Sequence, residues 1–389
     1  MRYLITGATT LLGRAITTRL VEAGHEVVTV ARKPQKAIDE LDRGVDVLYG
    51  DPTMKNTMYE AFEGVHGVFH LGFYQHYRTK DGRQSHQPNI TIKSQNNLKE
   101  AMKEIREAKD EAKKTGSTVA ERINVLGTRN ILELVKECKI QKVVLTSTMA
   151  VYSDTKSKMM NEKTLYRGPW NSEYEHTMWK AQFEVAAPMM EKGLPLVILQ
   201  PGLLYGPGDS GYVHQLLYNH LRRKLNTPQD NLIKSYPKKT TYCWSYVDDV
   251  ADAHIAAMNK GAVGQNYLLC GPAHSVANML EMVHKITGLP APKRGIAPGI
   301  LKLEAAIMKA VGSVIPVSEN YSFEALRSIA GTTSLGSSDK AQAELGYTPR
   351  SLYDGLRHTL YYELNELGLI EHDRSEDDIT VLELEPGGL

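Results

Sequence analysis

Apolar residues in the N-terminal third come as short, nearly unbroken runs. They are Tyr3-Leu4-Ile5, Val27-Val28-Thr29-Val30, Val45-Asp46-Val47-Leu48-Tyr49 and Gly67-Val68-Phe69-His70-Leu71-Gly72. Runs of this length, bounded by glycines, predict strands buried on both faces. Helical patterns over 14–23 and 54–62 lie between them, and the alternation returns with a helix from Asn124, a strand at Lys142-Val143-Val144-Leu145-Thr146, a helix over 175–191 and a strand at Leu196-Val197-Ile198-Leu199-Gln200. Strand and helix in strict alternation predict an α/β fold, a Rossmann-type doubly wound parallel sheet with right-handed crossovers. From about Gly211 the pattern loses regularity, with a Pro-rich stretch over 290–298. The expected organisation is a dinucleotide-binding domain over 1–200, then a smaller, mostly substrate-binding lobe over 201–370 interleaved with the last sheet elements. Residues 76–120 read as a charged helical insertion, with a Lys/Glu-laced helix over 95–114, and 371–389 as an acidic tail.

The turn after the first strand carries the first candidate chemistry. Thr6-Gly7-Ala8-Thr9-Thr10-Leu11-Leu12-Gly13 leads directly into a helix. Gly7 suits a tight turn, Gly13 a close helix–strand approach, and the helix N-terminus can hold a pyrophosphate. The middle position, where glycine would let phosphate approach the backbone, is Thr10. The second strand ends in Ala31-Arg32-Lys33, with no carboxylate before Asp39. Two cations there suit a ribose 2′-phosphate, so NADP is expected over NAD.

Composition narrows the class. The net charge of +1, with 42% hydrophobic and 23% charged residues, is that of a globular protein and calls for neither nucleic acid nor an anionic membrane. No apolar stretch approaches the roughly 20 residues that span a bilayer, and the first strand starts two residues after Met1, so the expected location is the cytoplasm. Cys138, Cys243 and Cys270 are too scattered for a metal site or disulfide framework, and no metal is expected. Cys138 and Cys270 have apolar neighbours and are expected in the core.

Several stretches, in order, resemble the extended short-chain dehydrogenase/reductases of the epimerase, dehydratase and dihydroflavonol-reductase type. They are Thr6-Gly7 with Gly13, Gly50-Asp51, Val68-Phe69-His70-Leu71, Asn124-Val125-Leu126-Gly127-Thr128, Thr146-Ser147-Thr148 with Val151-Tyr152, Pro201 through Asp209, Tyr246-Val247-Asp248-Asp249, and Leu345-Gly346-Tyr347-Thr348-Pro349-Arg350. The resemblance implies a cofactor site at Gly7, Thr9, Thr10, Leu11, Leu12, Gly13, Arg32, Lys33, Asp51, Leu71, Gly72, Lys180, Pro201 and Leu204. It also implies a catalytic set of a hydroxyl, a tyrosine and a lysine, with Asn124 nearby. Thr148 holds the hydroxyl position and Lys180 the lysine position. Asp248 and Asp249 resemble an anchor for the lobe more than a catalytic pair.

The tyrosine position is His176, four residues before Lys180. Residues four apart share a helix face, whereas Tyr174, six before, points roughly 120° away from the lysine at about 100° per residue. The expected proton donor is therefore His176, whose imidazole passes protons near neutral pH. Three departures coincide: Thr10 for glycine, His176 for tyrosine, and Gln200 where the family often has arginine. The expected function is an NADP-dependent oxidoreductase acting on a ketone or secondary alcohol of a small organic substrate. The alternatives are an NAD-dependent nucleotide-sugar epimerase or dehydratase, and a non-catalytic dinucleotide-binding sensor or scaffold. The expected partners are the small-molecule substrate and, in one reading, a second copy in a homodimer.

Overall fold

The computed structural model describes residues 1–41, 44–73, 117–222, 235–292, 294–312 and 323–370. Nearly all of the insertion expected over 76–120, with its helix, and the acidic tail over 371–389 lie outside these residues. The apolar runs become β1 (Arg2–Thr6), β2 (Glu26–Ala31), β3 (Val45–Tyr49), β4 (Gly67–His70), β5 (Lys142–Thr146) and β6 (Leu196–Pro201). The chain continues through β7 (Leu203–Tyr205), β8 (Ser235–Pro237), β9 (Thr241–Tyr246) and β10 (Asn266–Leu269). The main sheet has seven strands in the order β10-β6-β5-β4-β1-β2-β3, every pair parallel. The winding reverses between β1 and β4, and a crevice at the carboxyl ends of those strands is where such sheets bind ligands.

Both faces of the sheet are buried because side chains alternate along each strand. Leu4, Val28, Val68, Val143 and Ile198 enter one core with Ile131 and Leu134 of the helix Gly127–Glu137. Ile5, Phe69, Val144 and Leu199 enter the other with Ile16 and Leu20 of the helix Leu11–Glu22. Covering the second core are β7 and β9, with β9 also paired to β11 (Ala273–Ser275) and β13 (Thr333–Ser334). A separate ribbon joins β8 to β12 (Arg294–Ile296). Two clamps hold this lobe. Asp249 accepts from the Arg350 backbone N–H and side chain, at 2.9 Å each, and the guanidinium lies 3.9 Å from the Tyr246 ring centre. Asp248 and Asp252 both bind Arg19, at 2.9 and 2.7 Å.

Three local expectations are corrected. Cys138 is exposed, because it ends the helix Gly127–Glu137 on its solvent side. The helix expected over 54–62 is a 3-10 helix, Lys55–Phe62. The helix expected over 175–191 starts at Glu173, capped by Ser172, and widens into a π-helix over Lys180–Ala186 before closing at Ala187–Glu191. Among the described residues, no helix is long and apolar enough to cross a membrane.

Candidate active site

The turn between β1 and the first helix is built for close backbone approach. Gly7 has φ of 79°, and a Cβ there would lie 2.8 Å from the Gly72 Cα after β4. At Gly13 a Cβ would lie 2.1 Å from the Gly7 carbonyl oxygen. Neither position tolerates a side chain, so the two strand ends and the helix N-terminus form one backbone cradle suited to a dinucleotide's pyrophosphate. Thr10 departs from that design in a specific way: it is the N-cap, and its Oγ1 accepts the Gly13 N–H at 3.0 Å. The hydroxyl uses one of the amide donors a phosphate would otherwise take. Arg14, one turn on, donates to the Thr9 carbonyl at 2.9 Å and to the Gly208 carbonyl at 2.8 Å, joining this turn to the loop after β7.

From the cradle a single cavity of about 690 Å³ runs beneath the lobe. Thr10, Leu11, Leu12 and Leu71 line one end, and Thr146, Ser147, Thr148, Pro201 and Leu204 line the middle. The structure thus brings seven expected site residues (Thr10, Leu11, Leu12, Leu71, Thr148, Pro201 and Leu204) to one wall. Gly7, Gly13 and Gly72 lie behind it as the backbone cradle. Arg32 and Lys33 follow β2 in exposed positions, and the β1–β2 ladder runs as far as Thr6 and Val30. The Asp51 carboxylate holds its own turn, accepting from the Thr53 N–H and hydroxyl at 2.9 Å each.

The helix Glu173–Trp179 sets the remaining groups. Ser172 accepts the Glu175 N–H, fixing the start of the helix, and Tyr174 and Glu175 line the same cavity as Thr148. His176 and Lys180 share a face, as their spacing requires, but neither is in the lining. The His176 ring stacks on Trp170, centroids 4.3 Å apart at 22°, and Lys180 donates to Glu121 at 2.8 Å. Burial, and next the Lys180 charge, hold the imidazole below its usual pKa. His176 and Lys180, expected on the reacting face, are held by this ring stack and this ion pair. Cap position and the Trp170 stack decide which face turns inward, and sequence spacing encodes neither. Tyr152 is fully buried and its phenol is pushed up by desolvation; Gln200 donates to it at 3.4 Å. At this wholly buried position an arginine would carry an unpaired charge, which glutamine avoids.

Asn124 joins the site through a buried polar chain. Its Nδ2 donates to Thr177 Oγ1 at 3.0 Å, and that hydroxyl donates to the Tyr174 carbonyl at 3.1 Å. The Asn124 carbonyl accepts from Thr128 at 2.6 Å, so the Thr128 oxygen is left to accept from His70 Nε2 at 3.2 Å. His70 Nδ1 then accepts the Thr6 hydroxyl at 2.6 Å, and Thr6 in turn accepts the Leu71 N–H at 3.3 Å. Each proton has one place to go only if His70 is neutral, with its proton on Nε2. Desolvation lowers its pKa to about 3. The chain ties the strand ends at the cradle to the helix that carries Tyr174.

Tyr212 and Leu216 on the helix Tyr212–Arg222, Tyr242 on β9, and Leu301 and Leu326 complete the far wall. Sequence analysis did not find them. Only the i, i+4 pair Tyr212 and Leu216 leaves a periodic trace; the others come from short elements brought together by tertiary folding.

Comparison with known proteins places this geometry. The model of the NAD dependent epimerase/dehydratase family matches residues 3–117 and 106–270. Sterol demethylase protein B of Methylococcus capsulatus is 22% identical, over 90% of this chain and 94% of its own length. A 2-alkyl-3-oxoalkanoate reductase of Stenotrophomonas maltophilia is 25% identical, over 92% and 98%. The UDP-glucuronic acid 4-epimerase of Bacillus cereus, solved with UDP-glucuronic acid and NAD, superposes with a TM-score of 0.64 at 20% identity, over 94% of this chain and 100% of that one. At that identity the superposition speaks for the fold.

Proposed function

Because the chain belongs to the NAD-dependent epimerase/dehydratase family, whose members are NAD(P)-dependent enzymes of the extended short-chain dehydrogenase/reductase type, we propose that it is an NADP-dependent reductase of a ketone, or dehydrogenase of the matching secondary alcohol. The carrying observation is the continuity of the cavity from the glycine cradle, past Thr148 and Tyr174, into the lobe. The cradle fits a dinucleotide: Thr10, Leu11 and Leu12 would hold the pyrophosphate, and Leu71, Pro201 and Leu204 the nicotinamide half. Arg32 and Lys33 would hold the ribose 2′-phosphate. When bound, the nicotinamide supplies or accepts the hydride.

The chain's own residues hold the substrate oxygen and handle its proton. Thr148 Oγ1 accepts the Ala150 N–H at 3.1 Å, which fixes the hydroxyl at the end of β5 and leaves its proton for a substrate oxygen. Tyr174, lining the same cavity, is the proton donor in this reading, in place of His176. Glu175, buried beside it, has its carboxyl pKa raised by desolvation.

The test is a pair of titrations with NADPH and NADH, followed by turnover of a ketone series. A charge-assisted contact to phosphate contributes about 1.5–3 kcal/mol. NADPH is expected to bind at least about tenfold more tightly, and Arg32→Ala to remove most of that preference. Equal affinities in the unsubstituted protein would end the NADP assignment, and absence of turnover with either cofactor would end the reductase reading.

A further inference from the structure

The far half of the cavity differs in chemistry from the cradle. Leu203, Tyr212, Leu216, Tyr242, Leu301 and Leu326 contribute apolar surface to that half, beside the uncharged polar side chains of Gln215, Asn219 and Thr332. The ionisable carboxylic side chains in the whole lining are Glu175, Asp209 and Glu304, and among the described lining residues there is no lysine or arginine. Asp209 accepts the Gly211 N–H at 2.8 Å and the His214 N–H at 3.3 Å, so the N-terminus of the helix Tyr212–Arg222, where a phosphate would otherwise sit, already holds this chain's own carboxylate. A diphosphate at that end would meet carboxylates, apolar side chains and a few uncharged amides and hydroxyls, and would lose its hydration without a cationic partner among the described lining residues.

From this wall we infer that the substrate is an uncharged, largely hydrocarbon ketone or secondary alcohol rather than a nucleoside-diphosphate sugar. The inference rests on the proposed reductase reading only in placing the carbonyl or carbinol at Thr148. Reduction transfers a hydride from the nicotinamide cofactor to the carbonyl carbon and a proton to its oxygen, and the cofactor is oxidised. Neither half of that step requires a charged handle on the substrate. The apolar surface beyond the cofactor residues suits a hydrocarbon body, while Thr148 orients its single oxygen.

The test is calorimetry on the full chain loaded with oxidised NADP, with cyclododecanone and UDP-glucose as probes. Cyclododecanone is expected to bind at least about tenfold more tightly than UDP-glucose. Leu203 is only partly buried, so Leu203→Asp should fold; it is expected to weaken cyclododecanone by at least about tenfold, with Leu203→Met close to the unsubstituted protein. Glu304→Lys, on the exposed side of its helix, should raise the affinity for UDP-glucose without improving that for the ketone. UDP-glucose binding as tightly as the ketone, or Leu203→Asp leaving ketone affinity unchanged, would overturn the inference. Heat of binding is read without turnover, so the two readings can fail separately. Cyclododecanone that binds but is never reduced supports the cavity's chemistry and removes the reductase reading. Reduction confined to 4-keto UDP-sugars, with no binding of cyclododecanone, does the reverse.

Discussion

At the scale of the residue, two positions bear opposite burdens from those their spacing implies. Thr10 stands where glycine would admit phosphate, and in the fold its hydroxyl caps the first helix through Gly13. The substitution trades a phosphate donor for a cap, whose loss to alanine would cost about 1 kcal/mol. His176 stands where tyrosine would donate a proton, and in the fold it packs on Trp170. If Tyr174 is the donor, Tyr174→Phe should lower kcat by about 10²–10⁴-fold, the range for a lost general acid. His176→Ala should act chiefly on stability, through the lost ring stack of about 0.5–1.5 kcal/mol, with kcat within a few-fold. Steady-state kinetics on both variants checks this, and a kcat loss confined to His176→Ala would restore the imidazole as donor.

At the scale of the element, what was legible in the sequence is what period and punctuation encode. Each strand of the main sheet through β6 sits on a readable apolar run, because a strand buried on both faces leaves no polar gaps. Gly7 and Gly13 were legible because close backbone approach leaves room for nothing else. The far wall of the cavity was not, since β7 and β9 have only three and six residues and take their meaning from each other. Nor was the widening at Lys180–Ala186, because a π-turn changes hydrogen-bond register without changing residue types. The polar chain from Thr6 to Thr177 joins elements far apart in sequence, so no local pattern announces it. Thr177→Val removes the acceptor for Asn124 and leaves a buried amide short of a partner. It should cost about 1–3 kcal/mol in urea unfolding, and also lower kcat more than it raises KM, because the helix start that aims Tyr174 loses its tie. A stability loss with unchanged kinetics would show the chain to be structural alone.

At the scale of the whole molecule, two fully buried histidines make stability depend on pH. His70 closes the polar chain. His254 Nε2 accepts from Thr146 at 2.8 Å while its Nδ1 donates to the Val250 carbonyl at 2.7 Å. Burial lowers their pKa values to about 3 and about 4, below the unfolded value of about 6.5. The unfolded chain therefore binds more protons below pH 6.5, and stability is full above that value. It falls as pH drops from about 6.5 toward 4, by a few kcal/mol for the pair. Urea midpoints at pH 7.5, 6 and 5 should decline in that order, and His70→Gln should flatten the slope. A midpoint independent of pH across this window would show that the rings are not held neutral.

Arg14 reaches from the Thr9 carbonyl to the Gly208 carbonyl, so the cofactor turn and the rim of the substrate lobe share one side chain. A dinucleotide that settles the turn would, through this side chain, also settle the loop opposite. On the proposed reductase reading the expected kinetic signature is a compulsory order of addition, cofactor first and ketone second. An unreactive hydrocarbon analogue that competes with the ketone should then be uncompetitive toward the cofactor, lowering its apparent KM and the maximal rate together. Arg14→Ala should turn that pattern noncompetitive, the mark of two sites that no longer wait for one another.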